Sequence, residues 1–304
     1  MEKKESLPRK FKSLSELHRV FGQKMPFHPL ISLVNISLNE INSDENFSSF
    51  TTDFYQVIYK PDMHGKVRYG QKHYDFAEGG LIFSAPNQIF EAPPKGRKSG
   101  YVLSIHPDFL LSYPLAKKIK QHGFFSYATN EALHLSDQEK ETILSIFKIV
   151  DEELKSRIDD LSHEVIISQL ELLLNYCNRF YKRQFITRQV VNNDLLEKLE
   201  EILSDYFNSE KSLKQGIPSV QYLSENLNTS ASYLSDMLRA LTGKSAQQHI
   251  HEKLIEKAKE KLSTTDLSVS EIAYELGFEH SQSFSKLFKA KTDISPLEFR
   301  KSFN

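Results

Sequence analysis

The sequence contains no tryptophan and a single cysteine, Cys177, among its 304 residues. One cysteine excludes an internal disulfide bond and a metal site built from several cysteines, and it agrees with a reducing compartment. No apolar stretch approaches the roughly 18 residues that a membrane span needs, and no apolar run follows the basic residues 1–12 as it would in a signal peptide. We therefore expect a cytoplasmic protein with no membrane partner.

The chain also has almost no net charge, since its formal value at pH 7 is -1. A nucleic-acid-binding function would therefore need a local basic surface rather than a basic chain. Hydrophobic residues make up 39% of the sequence and charged residues 26%, so most of it can fold around sizeable cores. The length suits about two domains of roughly 100–200 residues each.

The first third of the chain has the composition of short β-strands. Residues 1–12 are charged and expected to be frayed, and residues 13–21 are expected to form a short helix that ends at Gly22. Runs of β-branched and aromatic residues then alternate with turn residues, which is typical of a small barrel or sandwich. The predicted strands are Leu30–Leu38, Phe54–Tyr59, Val67–Tyr69, Tyr74–Phe76, Gly80–Ser84, Gln88–Glu91 and Tyr101–Ile105.

Helices follow after Pro107. Ser136 and Glu139 have the spacing of a capping box, which predicts the start of a helix with one apolar stripe. The next predicted helix, Ser162–Lys182, is apolar around most of its circumference, so it either packs against the barrel or meets a second subunit. The predicted domains are a sensing domain over residues 1–135, a helical dimerisation segment over 136–190 and a DNA-binding domain over 193–304.

The C-terminal part of the chain contains two copies of one sequence pattern, at residues 219–241 and 268–291. In the second copy, Ser268 and Glu271 predict a helix start, and Gly277 predicts a sharp turn before a second helix. The first copy has the same plan, with Asn228 at the turn and Ser230 as the cap of its second helix. This pattern predicts two helix-turn-helix motifs, which place their second helices in the major groove of DNA.

Between the two copies, Ser245 and Gln248 predict a linker helix of roughly 25 Å over residues 246–262. A rigid spacer of this kind can present both recognition helices to successive major grooves. Outward polar residues at the start of each recognition helix are the candidates for base contacts. They are Ser232, Ser235, Asp236, Arg239, Ser281, Gln282, Ser285 and Lys286. The candidates for backbone contacts are Ser230, Lys244, Lys289, Lys291 and Lys301. Asp236 needs a cytosine amino group or Arg239 as a partner, because phosphates repel a carboxylate.

These residues resemble the signature of the AraC/XylS family of bacterial transcription regulators. The matching residues are Ile272-Ala273, Leu276-Gly277-Phe278, Ser283-Phe284-Ser285, Phe288-Lys289 and Ile294 to Arg300, with Thr242-Gly243, Leu254 and Ala258 in the first copy and linker. Asp293 departs from the pattern, which usually has glycine there. The resemblance implies sequence-specific binding of double-stranded promoter DNA, usually activation, and contacts with RNA polymerase.

The N-terminal region is similar in architecture to the cupin-like sensing domain of that family. The fold expected for the whole chain is therefore α+β: a cupin-like β-barrel with a helical dimerisation segment, then an all-α domain with two helix-turn-helix motifs joined by a linker helix. A homodimer and a small-molecule effector are the expected partners. The aromatic and basic candidates for an effector pocket, each also readable as ordinary core, are Tyr55, Tyr59, Arg68, Tyr74, Phe83 and Phe90.

Two other functions stay open at this point. The first is a cupin-type metal enzyme, an isomerase or dioxygenase, fused to a DNA-binding module. His64, His73 and His106 are too scattered for the usual cupin ligand pattern, so no metal, no cofactor and no catalytic residue is expected. The second is a DNA-repair alkyl acceptor, which one lone Cys177 disfavours because that chemistry uses a cysteine cluster on zinc.

Overall fold

The computed structural model describes residues 8–36, 40–41, 49–61, 66–69, 72–75, 79–91, 96–97, 99–128, 131–156, 161–187 and 189–302. The chain divides into two compact units, Met1–Gln184 and Phe185–Asn304. The strands all belong to the first unit: β1 (Arg9–Phe11), β2 (Ile31–Asn35), β3 (Glu40–Ile41), β4 (Ser49–Thr52), β5 (Tyr55–Lys60), β6 (Lys66–Tyr69), β7 (Lys72–Asp75), β8 (Gly80–Ser84), β9 (Ile89–Glu91), β10 (Gly96–Arg97), β11 (Tyr101–Ile105) and β12 (Leu133–His134).

Among the described residues, four α-helices begin in the first unit, and the fourth of them continues past residue 184. They are α1 (Leu14–Val20), α2 (Leu115–Lys118), α3 (Asp137–Lys155) and α4 (Ser162–Thr187). Eight helices follow in the second unit: α5 (Gln189–Asn208), α6 (Lys211–Gln215), α7 (Val220–Asn226), α8 (Ala231–Thr242), α9 (Ala246–Thr264), α10 (Val269–Glu275), α11 (Ser281–Thr292) and α12 (Pro296–Lys301).

The first unit is built on a five-stranded antiparallel sheet with the order β12-β8-β5-β11-β2. Because strand side chains alternate between faces, Val57, Phe83 and Leu103 share one buried face. The opposite face carries a buried polar row, in which Gln56 lies opposite both Ser84 and Ser104. The ladders of the described residues form four separate sheets and no closed barrel, so the expected cupin-like barrel is not confirmed.

The N-terminal residues differ from the sequence prediction. Arg9–Phe11 is not frayed but forms β1, which pairs in parallel with β4. Phe11 is fully buried in a cluster with Leu14, Leu17 and Phe50. Burying one phenylalanine contributes roughly 1.5–3 kcal/mol, which is enough to order a short charged segment. The predicted helix that follows is confirmed, with Ser13 as its N-cap.

Helix α4 is fixed to β12 by side chains near its C-terminal end. Gln184 Nε2 donates to the Ala132 carbonyl at 3.2 Å, and Gln184 Oε1 accepts from the His134 N–H at 2.8 Å. Arg183 donates to the His134 carbonyl at 2.7 Å and to Glu139 at 2.6 Å. The glutamine amide therefore takes the place of a neighbouring strand at this sheet edge. The predicted capping box of Ser136 and Glu139 at the start of α3 is confirmed.

Among the described residues, no helix combines the length and the hydrophobicity that crossing a bilayer requires.

Candidate nucleic-acid interface

The second helix-turn-helix consists of α10, a tight turn and α11. Ser268 and Glu271 form the predicted capping box, and hydrogen bonds from Ser268 hold the pKa of the Glu271 carboxyl below its usual value. Gly277 adopts a φ of 90°, and the Phe278 N–H donates to the Ala273 carbonyl at 2.9 Å to close the turn. The packed residues between the two helices are Ile272, Ala273, Leu276, Phe284 and Phe288, all buried.

The outward face of α11 carries polar side chains. Gln282 and Lys286 are exposed, and Ser281 and Ser285 are half-buried beside them. Phe284 and Phe288 point the opposite way into the core. The predicted base-contact residues of this motif therefore share one solvent-facing surface at the start of a rigid helix. Glutamine pairs with adenine and lysine donates to guanine when such a surface enters the major groove.

The first helix-turn-helix repeats this geometry in α7 and α8. Asn228 has a φ of 53°, and the Thr229 N–H donates to the Ser224 carbonyl at 2.9 Å, which is the counterpart of the closure at Phe278. Ser230 caps α8, because its Oγ accepts from the Tyr233 N–H at 3.2 Å. Asparagine therefore serves at this turn because it tolerates the left-handed backbone better than other non-glycine residues.

The outward polar face of α8 is less basic than that of α11. We call each of these two faces the reading surface of its helix. Ser232, Ser235 and Asp236 are half-buried, and Arg239 is exposed on the same side. Arg239 Nη1 lies 3.3 Å from Asp236 Oδ1, so of the two partners considered for Asp236 the structure contains the arginine. This surface therefore presents one acidic and one basic group where α11 presents lysines.

Helix α9 connects the two motifs and begins at the predicted capping box of Ser245 and Gln248. His249 anchors it to α8, since its Nε2 lies 2.9 Å from Thr242 Oγ1. Burial lowers the pKa of His249, against the opposing effects of Glu252 and Glu200. The linker is therefore fixed at its first turn to the end of the first recognition helix.

A second connection between the motifs was missed by sequence reasoning. Ser212 of α6 is buried and its Oγ donates to the Glu275 carbonyl at 2.7 Å. A Cβ added at Gly277 would lie 2.5 Å from the Gly216 carbonyl carbon, so the two glycines are in backbone contact. The segment just before the first motif therefore braces the turn of the second one. The glycine at position 216 is the sequence signal that could have indicated this contact, because glycine readily adopts the φ of 81° found there.

The predicted backbone-contact residues are placed as follows. Lys289 and Lys291 are exposed on α11, and Lys301 is exposed at the end of α12. Lys244 follows the first recognition helix and pairs with Glu252 at 2.8 Å. Asp293 ends α11 with a φ of 65°, close to the 73° of Gly243 at the end of α8. The departure from glycine therefore leaves the left-handed turn before α12 in place.

Most of the predicted effector-pocket residues have aromatic neighbours in the first unit. Tyr55 packs against Phe125 with ring centroids 5.0 Å apart, and Phe83 packs against Phe124 at 4.5 Å. Tyr59 is buried on the same face of the five-stranded sheet, facing Tyr101. Phe90 lies apart from them, stacked on Phe50. The side chains of Arg68 and Tyr74 lie outside the described residues.

The histidines considered as metal ligands do not form a described site. His106 caps a 3-10 turn by accepting from the Asp108 N–H, and its ring packs edge-on to Phe54. His64 and the side chain of His73 lie outside the described residues. Within the described part of the chain, no group of three or more histidine, cysteine, aspartate or glutamate side chains could hold a metal ion. Cys177 is buried, and burial raises the pKa of its thiol.

Comparison with known proteins agrees with this geometry. A family model described as a helix-turn-helix domain matches residues 223–302. The chain is 25% identical over 251 residues to the uncharacterized HTH-type transcriptional regulator YfiF of Bacillus subtilis, covering 81% of this chain and 76% of YfiF. It is 36% identical over 105 residues to the raffinose operon transcriptional regulatory protein RafR of Pediococcus pentosaceus, covering 30% of this chain but only 38% of RafR.

Among solved structures, the C-terminal domain of the two-component response regulator yesN from Fusobacterium nucleatum is 32% identical. That match covers 35% of this chain and 98% of the other, with a TM-score of 0.31.

Proposed function

We propose that this chain, whose residues 223–302 match a helix-turn-helix domain, is a transcription regulator of the AraC/XylS type that binds one promoter sequence through both motifs and activates transcription there. The observation that carries the proposal is the pair of motifs, each with a capped first helix and a second helix that presents a polar face to solvent. Reading of base edges by Gln282 and Lys286 supplies specificity, while Lys289, Lys291 and Lys301 neutralise phosphates. The protein acts in the cytoplasm, where it meets promoter DNA and RNA polymerase.

The test is selection of binding sites from a random duplex library with the full chain, followed by titration of the selected duplex at several salt concentrations. Lys286→Ala is expected to weaken binding to the selected duplex by on the order of 10-fold. Lys198→Ala, a lysine of α5 outside both motifs, is the matched control and is expected to leave it unchanged. Equal affinity of the unmodified protein for selected and shuffled duplexes would overturn the proposal.

Activation is tested separately, because binding alone does not distinguish an activator from a repressor. A template that carries the selected site upstream of a weak promoter is transcribed by purified RNA polymerase with and without the protein. We expect more transcript when the protein is present, through contacts with polymerase. Less transcript would make the protein a repressor and would contradict this part of the proposal.

We also propose that the protein is a homodimer through α3 and α4. Four large apolar side chains in the described part of these helices are exposed. Ile149 at 42%, Val165 at 36% and Leu172 at 42% lie in the first unit, and Ile186 at 57% lies in the last turn of α4. Covering these side chains with a second copy would remove their apolar surface from water.

The oligomeric state tests the dimer. Leu172→Glu is expected to convert a dimeric mass into a monomeric one in light scattering at micromolar concentration. Ile89→Glu is the matched control, because Ile89 is 66% exposed in the same unit and lies on β9, which pairs with β4. A dimer that survives Leu172→Glu, or an unmodified protein that is monomeric, would contradict the proposed interface.

Regulation by a small effector through the N-terminal sensing domain is the last part of the proposal. The support is a cavity of about 420 Å³ beside β2, lined by residues that include Lys24, Asn35, Tyr101 and Asp151. Pockets for small molecules usually have about 300–1,000 Å³. A metabolite screen by thermal shift tests the idea, with Asn35→Ala as the variant expected to lose the shift. A shift that persists in Asn35→Ala would place the effector elsewhere, and no shift with any compound would argue against an effector.

A further inference from the structure

Asp236 lies in the middle of the reading surface of the first recognition helix. It shares that surface with Ser232, Ser235 and Arg239, while Leu234 and Leu238 are buried on the other side of α8. In the repeat, Asp236 occupies the position of Lys286, because Leu234 corresponds to Phe284. The two motifs therefore present opposite charges at the same place.

A carboxylate at this place is unfavourable in most DNA complexes. Duplex DNA carries one negative charge per roughly 1.7 Å of its axis, and an ionised carboxyl has only acceptors to offer. Arg239, 3.3 Å away, offsets part of the charge. That pairing cannot distinguish one base from another, whereas a hydrogen-bond donor on a base edge can.

The major groove offers few such donors. Guanine and thymine present acceptors there, and adenine places the N7 acceptor beside its N6 amino group. Cytosine presents its N4 amino group and no neighbouring acceptor, which makes it the base that a carboxylate recognises. Building on the proposed DNA-binding function, we propose that Asp236 makes the first motif select a cytosine, with Arg239 holding the carboxylate and contacting the groove beside it.

The first motif should therefore require a cytosine at this position of its site rather than only prefer one. At guanine or thymine the carboxylate meets only acceptors, and at adenine the N6 donor comes with the N7 acceptor beside it. A wrong base is therefore penalised as well as unrewarded. Replacing the selected C·G pair by T·A is therefore expected to weaken binding by on the order of 10-fold or more. A lysine at this position would gain phosphate attraction at every sequence and could not discriminate in this way.

Site selection with four full-length proteins tests the inference. The unmodified chain is compared with Asp236→Asn, which keeps the shape but adds donors, and with Asp236→Ala, which removes the group. Glu225→Gln is the matched control, because Glu225 is an exposed carboxylate of the preceding helix α7 that accepts from Gln221 at 2.8 Å. It removes the same charge without touching the recognition helix.

We expect one invariant C·G pair in the sites selected by the unmodified chain and by Glu225→Gln. Asp236→Asn should change that pair to A·T, since asparagine pairs with adenine, and Asp236→Ala should select no base there. Folding defects would lower affinity at all positions and would not move one base. Identical sites for all four proteins would overturn the role of Asp236, whereas failure of the unmodified chain to enrich any sequence would overturn the proposed function itself.

Discussion

Replacing Gly277 by alanine tests whether the turn of the second motif depends on contact with another segment. The site combines a φ of 90° with a neighbouring backbone, because a Cβ would lie 2.5 Å from the Gly216 carbonyl carbon and 2.8 Å from the Ile217 nitrogen. A left-handed backbone costs an alanine roughly 1–2 kcal/mol. Forcing a methyl group into packed backbone adds about 1–3 kcal/mol. We therefore expect a loss of about 2–5 kcal/mol in the free energy of unfolding.

Gly243 provides the matched control for this prediction. It has a similar φ of 73°, but a Cβ there would have nothing within 4 Å. Gly243→Ala should therefore cost only the unfavourable left-handed backbone, about 1–2 kcal/mol. The difference between the two variants isolates the contact between Gly277 and Gly216.

The assay is amide hydrogen exchange on the full-length protein, followed in peptides from α10 and α11. Gly277→Ala should raise exchange in those peptides much more than Gly243→Ala raises it in peptides from α8. A change of this size is a large part of the roughly 5–15 kcal/mol that stabilises a domain. Equal losses in the two variants would refute the reasoning, because the brace would then contribute nothing beyond backbone conformation.

Three further predictions follow from buried groups. Burial lowers the pKa of His249 from its ordinary 6.5. The contribution of the neutral imidazole to the stability of the second unit should therefore be complete above pH 6.5 and decrease as the pH drops toward the folded pKa. His249→Gln should reduce the dependence of the urea midpoint on pH across this range. Cys177, whose buried thiol has a raised pKa, should react with a thiol reagent in the native protein far more slowly than in urea, and fast native labelling would contradict its burial. Gln184→Ala should destabilise the first unit by about 1–3 kcal/mol in urea unfolding, because it leaves backbone groups at Ala132 and His134 without their partner.

The second unit could be predicted in detail because its signals are local. A serine followed three residues later by glutamate or glutamine specifies a capping box through its own chemistry, as Ser268 and Ser295 both do. The left-handed turns at Asn228 and Gly277 likewise follow from the residues that tolerate positive φ. These features need no information about distant parts of the chain. The reading surfaces followed from helical periodicity once the caps were placed.

The parts that the sequence did not reveal depend on long-range pairing. Arg9–Phe11 reads as a charged terminus, and only its pairing with β4 and the burial of Phe11 make it a strand. The short helix α6 carries no apolar stripe that stands out, and its importance comes from the hydrogen bond between Ser212 and Glu275, 63 residues apart. Tyr55 and Phe83 could be placed on strands, but whether they line a pocket or pack together depends on which helices cover the sheet.

The charge distribution gives the two motifs different tasks on DNA. A chain of net charge -1 gains little long-range attraction to DNA. Under the proposed function, its approach to DNA would therefore depend on the lysines of α11, led by Lys286 and Lys289. The α8 surface carries Asp236 beside Arg239 and adds little attraction of its own. It therefore contributes mainly after α11 has docked, when the brace between Gly216 and Gly277 already fixes where α8 meets the groove. On this argument, removing the phosphate-contacting Lys289 should lower affinity for every duplex, whereas changing Asp236 should alter which duplex is bound.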